Sequence, residues 1–257
     1  MHLPAERHKR IIQSLKETGF VTVAGLSDAL DVSDVTVRRD LSLLESQHLL
    51  QRTHGGATTW TPIVRDRPVS EKAGQHAQEK RRIGAAAAAL IEDHDRVILA
   101  SGTTVSQVAS HLGNLHGQAG LTVVTNAMNV AMALTSVPGI EVHMLGGAVR
   151  HTSTSVAGPI AEMVLSQFSC RKLFLGVDGF DLQYGLTTSS ALEAHLNTCM
   201  IEAAEQVIVV ADASKFGLRS FGRICGIEQV HHVITSEAIP PRMVATLEDA
   251  SITVTVV

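Results

Sequence analysis

Cysteine is scarce in this chain of 257 residues: three in all, Cys170, Cys199 and Cys225, with no C-x-x-C pair. Single, widely spaced thiols exclude a disulfide framework and point to reduced thiols in a cytoplasmic protein. Aromatic residues make up 3%, too few for a surface that stacks unpaired bases. The longest apolar run, residues 83–91, is mostly alanine and about half the length of a membrane span. No basic-then-apolar leader opens the chain, so the expectation is a cytoplasmic protein with no membrane partner. An excess of positive charge is also missing. The formal net charge is −4, and residues 1–60 carry seven Lys and Arg against seven Asp and Glu. Any contact with nucleic acid must then come from where charges lie, not from their sum. Chemistry-bearing motifs are lacking too. The 13 His residues form no H-E-x-x-H, and the adjacent His231 and His232 sit on a strand, where they face opposite ways. There is no G-x-S-x-G and no Walker loop. No metal, cofactor or catalytic residue is expected.

What is present starts at residues 31–41, D-V-S-D-V-T-V-R-R-D-L. Ser33 is a good N-cap, because its hydroxyl accepts a free N–H of the first helical turn. Asp34 then lies where the helix dipole favours negative charge. Val37, Leu41 and Leu44 repeat at helical spacing and form one apolar face. Arg39 points away from that face, flanked by Arg38 and Thr36. Upstream, residues 22–30 read as a short helix capped by Thr22, with only Asp31 and Val32 before Ser33. That is a tight helix-turn-helix over about 20–39. Downstream, L-L-Q-R-T-H-G-G-A-T at 49–58 reads as two short strands around a Gly-Gly turn. A helix over 5–18, with Ile11, Ile12 and Leu15 inward, completes a three-helix core. The predicted unit is a small winged helix-turn-helix domain, residues 1–58. Ser33, Thr36, Arg38, Arg39, Arg52 and His54 would contact double-stranded DNA. Residues 59–74, with Pro62, Pro68 and Gly74 and no clear period, read as a linker.

From residue 75 the texture changes. Apolar strand-like runs recur at 96–100, 121–125, 140–145, 172–177, 207–211, 232–235 and 252–257. Helix-like stretches lie between most of them. This alternation predicts a larger α/β domain over 75–257 with a doubly wound, mainly parallel sheet. Ligands of such sheets bind at the carboxyl ends of the strands. There the chain places Ser101-Gly102-Thr103-Thr104, then Asn126, then Gly147 and Arg150, then Asp178 and Gly179, then Lys215. A Gly at a strand-to-helix bend with three hydroxyls beside it suits a phosphate. Lys215 or Arg150 would meet its charge, and Asp178 and Asn126 would take hydroxyls. The set suits a phosphorylated sugar or similar small molecule. Lone caps and turns account for each piece separately; five strand ends together do not.

Two sets of motifs resemble one family. V-S-D-V-T-V-R-R-D-L-S-L-L-E followed by L-L-Q-R-T-H-G-G-A looks like the N-terminal signature of the DeoR family of bacterial transcriptional regulators. S-G-T-T, L-T-V-V-T-N-A, G-G-A-V-R, V-D-G-F-D, G-L-T-T and S-K-F-G stand in the order of that family's sensor domain. The resemblance implies a sensor sheet related to ribose-5-phosphate isomerase and a phosphorylated sugar or related metabolite as effector. It implies that Ser101, Gly102, Thr103 and Thr104 hold the phosphate, with Asp178 and Lys215 nearby. Two positions depart from the pattern: His48 stands where the family usually has Gly, and Ala100 where it commonly has Asp. The expected function is a transcriptional repressor of a carbohydrate operon, acting as a homodimer or homotetramer in the cytoplasm on the nucleoid. The alternative is a sugar-phosphate isomerase-like enzyme with an added DNA-binding module, using Asp178, Asp181, Glu193 and Lys215. A protein-interaction module is the third reading. It is disfavoured because the reading helix offers polar forks rather than an apolar groove-filler.

Overall fold

The computed structural model describes residues 3–47, 49–53, 55–59, 63–64, 66–114 and 119–257. The chain divides into two compact units, Met1–Pro62 and Ile63–Val257.

The first unit opens with α1 (Pro4–Thr18), which starts on a proline and stops at Gly19 in the left-handed region. Strand β1 (Phe20–Thr22) runs straight into α2 (Val23–Leu30), whose cap is Thr22 accepting from the Gly25 N–H at 3.0 Å. Asp31, at φ 52°, ends α2, and Ser33 caps α3 (Asp34–Ser46). Ser27 Oγ donates to the Val32 carbonyl at 2.6 Å and ties the turn between the two helices. Strands β2 (Leu50–Thr53) and β3 (Gly56–Thr59) form the expected hairpin. The third strand of this sheet, β1, was not legible in the sequence; the order is β1-β3-β2 and both pairings are antiparallel. Gly56 makes the β1 pairing feasible, since a Cβ there would lie 1.8 Å from the Val21 carbonyl oxygen. Ile11, Leu15, Leu26, Leu30, Val37, Leu41, Leu44 and Leu50 close a core of their own. The winged helix-turn-helix expectation holds for the described residues; His48, His54 and Trp60 lie outside them.

The second unit begins earlier than residue 75. The stretch read as a linker holds strand β4 (Ile63–Val64) and helix α4 (Val69–Gly74). α4 buries no residue, so it carries no apolar period to betray it. Its fastenings are polar and come from residues distant in sequence. Helix α5 (Ala77–Ala88) leads to β5 (Arg96–Leu99), α6 (Thr103–Asn114), β6 (Leu121–Thr125), α7 (Met128–Leu134) and β7 (Ile140–Met144). A small hairpin, β8 (Ala148–Arg150) with β9 (Ser155–Ala157), precedes α8 (Pro159–Leu165) and β10 (Cys170–Leu175). Then come β11 (Gly179–Asp181), β12 (Gly185–Thr188), α9 (Ala191–Glu202), β13 (Ala204–Val210), β14 (Arg219–Ser220) and β15 (Gly222–Cys225). The chain finishes with β16 (His232–Thr235), α10 (Pro241–Asp249) and β17 (Thr253–Val256).

All seven strands expected of the main sheet join it, in the order β17-β16-β13-β10-β5-β6-β7. Every neighbouring pair is parallel. Side chains alternate along β5: Val97 and Leu99 pack with Ile83, Val108, Leu112 and Val130, from α5, α6 and α7. Ile98 packs with Ala161, Leu196, Met200 and Leu247, from α8, α9 and α10. Helices thus cover both faces, which is why the inner strands read as largely apolar runs. The winding direction reverses between β5 and β10, and the crevice outside the carboxyl ends of those two strands is where such sheets hold ligands.

Candidate functional site

The helix α3 presents its polar ridge outward because its apolar ridge is fixed inward. Val37, Leu41 and Leu44 are buried, and Asp40 joins them. Asp40 accepts from Arg7 Nε at 2.8 Å and Arg7 Nη2 at 3.1 Å, and lies 3.0 Å from His8 Nε2. This clamp between α1 and α3 sets the rotation of the helix. Arg38 and Arg39 are both exposed. Ser33 accepts from the Thr36 N–H at 3.3 Å, and the two hydroxyls are 3.0 Å apart. Arg52, on the wing, gives one N–H to Ser42 Oγ at 2.7 Å, and its backbone N–H goes to Glu45 at 2.9 Å. Arg52 therefore braces the wing on α3 in addition to any outward contact.

The second site lies at the reversal point of the sheet. A small cleft, about 60 Å³, opens there. Its floor is the bend after β5, where Gly102 takes φ 135° and α6 begins at Thr103. A side chain at 102 would be strained whatever the space. Gly176, Val177 and Asp178, after β10, form the adjoining wall. Lys215 reaches in from the short turn after β13.

Charge in the cleft is nearly all matched. Asp178 Oδ1 accepts from Lys72 Nζ at 2.8 Å. Its Oδ2 accepts from the Ser189 N–H at 3.0 Å and the Thr188 hydroxyl at 3.3 Å. Burial pushes the Asp178 carboxyl up, but the charge and hydrogen bond of Lys72, the Ser189 contact and the charge of Lys215 outweigh it, and it lies below the usual carboxylate range. Arg150 is held behind the cleft: Nη2 binds Asp66 at 2.9 Å and Nε pairs with Glu193 at 3.3 Å. Ser155 also donates to Glu193, at 3.0 Å. Among the described residues Lys215 has no carboxylate in ion-pair range.

The sequence motifs meet known models. Residues 7–62 match the DeoR-like helix-turn-helix domain and residues 75–237 the DeoR C terminal sensor domain. The chain belongs to the DeoR family of transcriptional regulators. An uncharacterised HTH-type transcriptional regulator, YulB of Bacillus subtilis (strain 168), is 36% identical over 99% of this chain and 97% of its own length. The transcriptional repressor AccR of Agrobacterium fabrum (strain C58) is 35% identical over 93% of this chain and 94% of its own. Among solved structures, ribose 5-phosphate isomerase A from Methanocaldococcus jannaschii overlays 55% of each chain at 15% identity with a TM-score of 0.42. A likeness at that level carries no functional argument. The relatives are regulators by name, and the enzyme reading is set aside.

Within this DeoR-family sensor, Ser101, Gly102, Thr103, Thr104, Asp178 and Lys215 line one cleft. Four other residues expected there do not line it. Asn126 is buried, and its Nδ2 donates to the Val156 carbonyl at 3.0 Å. Gly147 turns the chain into the β8–β9 hairpin at φ 130°. Gly179 is packed in β11, where a Cβ would lie 2.5 Å from the Leu218 carbonyl oxygen. Arg150 acts through Asp66 and Glu193. Sequence reasoning missed Asp66 and Lys72 because both fell in the supposed linker. It also missed Ser153 and Asn197, which carry no local signal. Ala100, at the departure from the family pattern, is fully buried in the core beneath the bend.

Proposed function

We infer that this DeoR-family regulator represses a carbohydrate-metabolism operon and leaves its operator when a phosphorylated sugar or related metabolite binds the second unit. Arg38, Arg39 and Thr36 read base edges and phosphates, with Ser33 at the start of the same helix, and Arg52 and His54, the latter outside the described residues, grip the backbone. The effector's phosphate sits on the Ser101–Thr104 bend with Lys215, and its hydroxyls reach Asp178. The observation that carries the reading is Lys215: among the described residues it is a cation without a carboxylate in ion-pair range, beside the start of α6, at the reversal point of a parallel sheet. A single winged unit makes few phosphate contacts, so the working form is a homodimer or homotetramer in the cytoplasm, bound to the nucleoid. Effector binding favours the form with weaker operator affinity, which is the differential-affinity condition for a switch.

The test uses the full chain and its own upstream DNA. Fluorescence anisotropy is expected to show tight binding, released by one member of a panel of pentose and hexose phosphates. The same ligand is expected to raise the melting temperature, by mass action on the native state. Gly102→Val should abolish that rise. No stabilisation by any phosphorylated metabolite, with Gly102→Val equally inert, would remove the cleft from the account.

A further inference from the structure

Residues 66–74 form a strap across the cleft, and three of its side chains, Asp66, Val69 and Lys72, line the opening. It is held at every step by other parts of the second unit. β4 pairs with β14. Asp66 accepts from Arg150 at 2.9 Å and from Ser189 Oγ at 2.9 Å. The Val69 N–H donates to the Thr152 carbonyl at 2.7 Å. The far end of α4 is gripped by Lys80, which is buried and donates to the Lys72 and Gln75 carbonyls at 2.7 and 2.6 Å. Two fastenings lie on the cleft wall itself, Asp66 with Ser189 and Lys72 with Asp178, and Lys72 is the one in which the strap supplies the cation.

Charge counting shows what an anion would do. Arg150 serves Asp66 and Glu193, and Lys72 serves Asp178, which leaves Lys215 over. A phosphate monoester brings nearly two negative charges at neutral pH. Lys215 answers one. The second cation in the cleft is Lys72, and it is occupied.

We propose that Lys72 is an effector-binding residue that changes partners: it leaves Asp178 for the phosphate of the ligand, and a ligand hydroxyl takes its place on Asp178 Oδ1. Asp178 stays aimed, because Ser189 and Thr188 keep hold of Oδ2. The exchange needs both halves of the ligand. Inorganic phosphate offers Lys72 a new partner but strands Asp178, so it settles on the bend and Lys215 without drawing Lys72. A phosphorylated polyol satisfies both. The ligand class is therefore an anion with a hydroxyl donor on the same small molecule.

This inference rests on the reading of the cleft as a phosphate site, and the test separates the two. Hydrogen exchange of the full chain is followed with inorganic phosphate and with the panel of pentose and hexose phosphates. Both kinds of ligand are expected to slow exchange at 101–106, and only a sugar phosphate to change it at 66–74. A sugar phosphate that protects 101–106 and leaves 66–74 unaltered overturns the change of partners while the site stands. If nothing protects 101–106, the site reading fails and this one with it. A second arm titrates inorganic phosphate calorimetrically. Asp178→Asn frees Lys72 and is expected to tighten phosphate about threefold or more. The gain should vanish when Asp178→Asn is added to Lys72→Met, the double variant being compared with the K72M single variant. An equal gain on that background would mean that only bulk charge had changed, and would overturn the role of Lys72.

Discussion

The carboxylate of Asp40 follows Arg38 and Arg39 directly in the chain, yet it turns inward to Arg7 and His8. Burial pushes it up, but the hydrogen bonds from Arg7 and His8 outweigh that and hold it below its ordinary range. The folded value being the lower one, the clamp stabilises the fold above about pH 4, the unfolded value. That stability is lost as pH falls through the lowered value. Asp40→Ala leaves Arg7 buried without its carboxylate and should cost about 3 kcal/mol. Amide exchange in α1 and α3, measured on the full chain, reads this directly; unchanged protection would mean that the helix is oriented by its apolar face alone. The thiols make a second case. Burial raises Cys170 to about 11 and Cys225, with help from the charge of Glu228, to about 12. At pH 8 neither is a thiolate, so neither should react with a thiol reagent in the native chain, while all three cysteines react after denaturation. Rapid native labelling of either, located by mass spectrometry, would contradict their placement.

Elements differ in how openly the sequence declares them. Gly56→Ala should separate β1 from β3 and destabilise the first unit by about 1–3 kcal/mol, with operator affinity falling in step; calorimetry and anisotropy on the same sample test the pair. The sequence announced the hairpin through Gly55-Gly56 but not β1, because three residues between two helices have no room for an alternating pattern. The seven strands of the main sheet were legible for the opposite reason. The inner strands are buried over most of their length and read as apolar runs, the part-exposed edge strands β7 and β17 keep alternating apolar residues, and the helices between them are long enough to show a period. β4 and β14 were not legible, since each is two residues and their pairing joins Ile63 with Arg219. The cleft was half legible. Its floor announced itself as small polar residues after strands, whereas Lys72 binds a carboxylate 106 residues away, a relation that no local window contains. Arg150 was read as a ligand contact from its position after Gly146-Gly147, yet the structure spends its charge on Asp66 and Glu193.

At the scale of the molecule, a chain with net charge −4 must hold DNA through a local concentration of cations. Affinity should therefore fall steeply with salt. Arg38→Ala/Arg39→Ala should weaken binding and lower the slope of log affinity against log salt by about 1–2. Anisotropy at two or more salt concentrations decides it: an unchanged slope would remove both arginines from contact with phosphates, and unchanged affinity would remove them from DNA altogether. At the amino ends of β5 and β10 a different arrangement holds the sheet. Buried Asp95 accepts from Lys172 at 2.7 Å and Arg171 at 3.0 Å, and Lys172 also donates to the Leu90 carbonyl at 2.6 Å. Asp95→Ala should lower the melting temperature, at a cost of about 3 kcal/mol, and leave sugar-phosphate affinity unaltered. A loss of affinity larger than the loss of fold would show that the two ends communicate.

That knot of Asp95, Arg171 and Lys172 gives tolerance to mutation a direction along the strands. One rim of the sheet is locked by interdependent charges, where a single exchange leaves a partner stranded. The opposite rim has ion pairs too, Lys72 with Asp178 and Arg150 with Asp66 and Glu193, but these join the parts around the cleft rather than the strands of the main sheet. Descendants of such a chain are free to rewrite the loops and acquire a taste for another metabolite, provided that the locked rim is inherited intact.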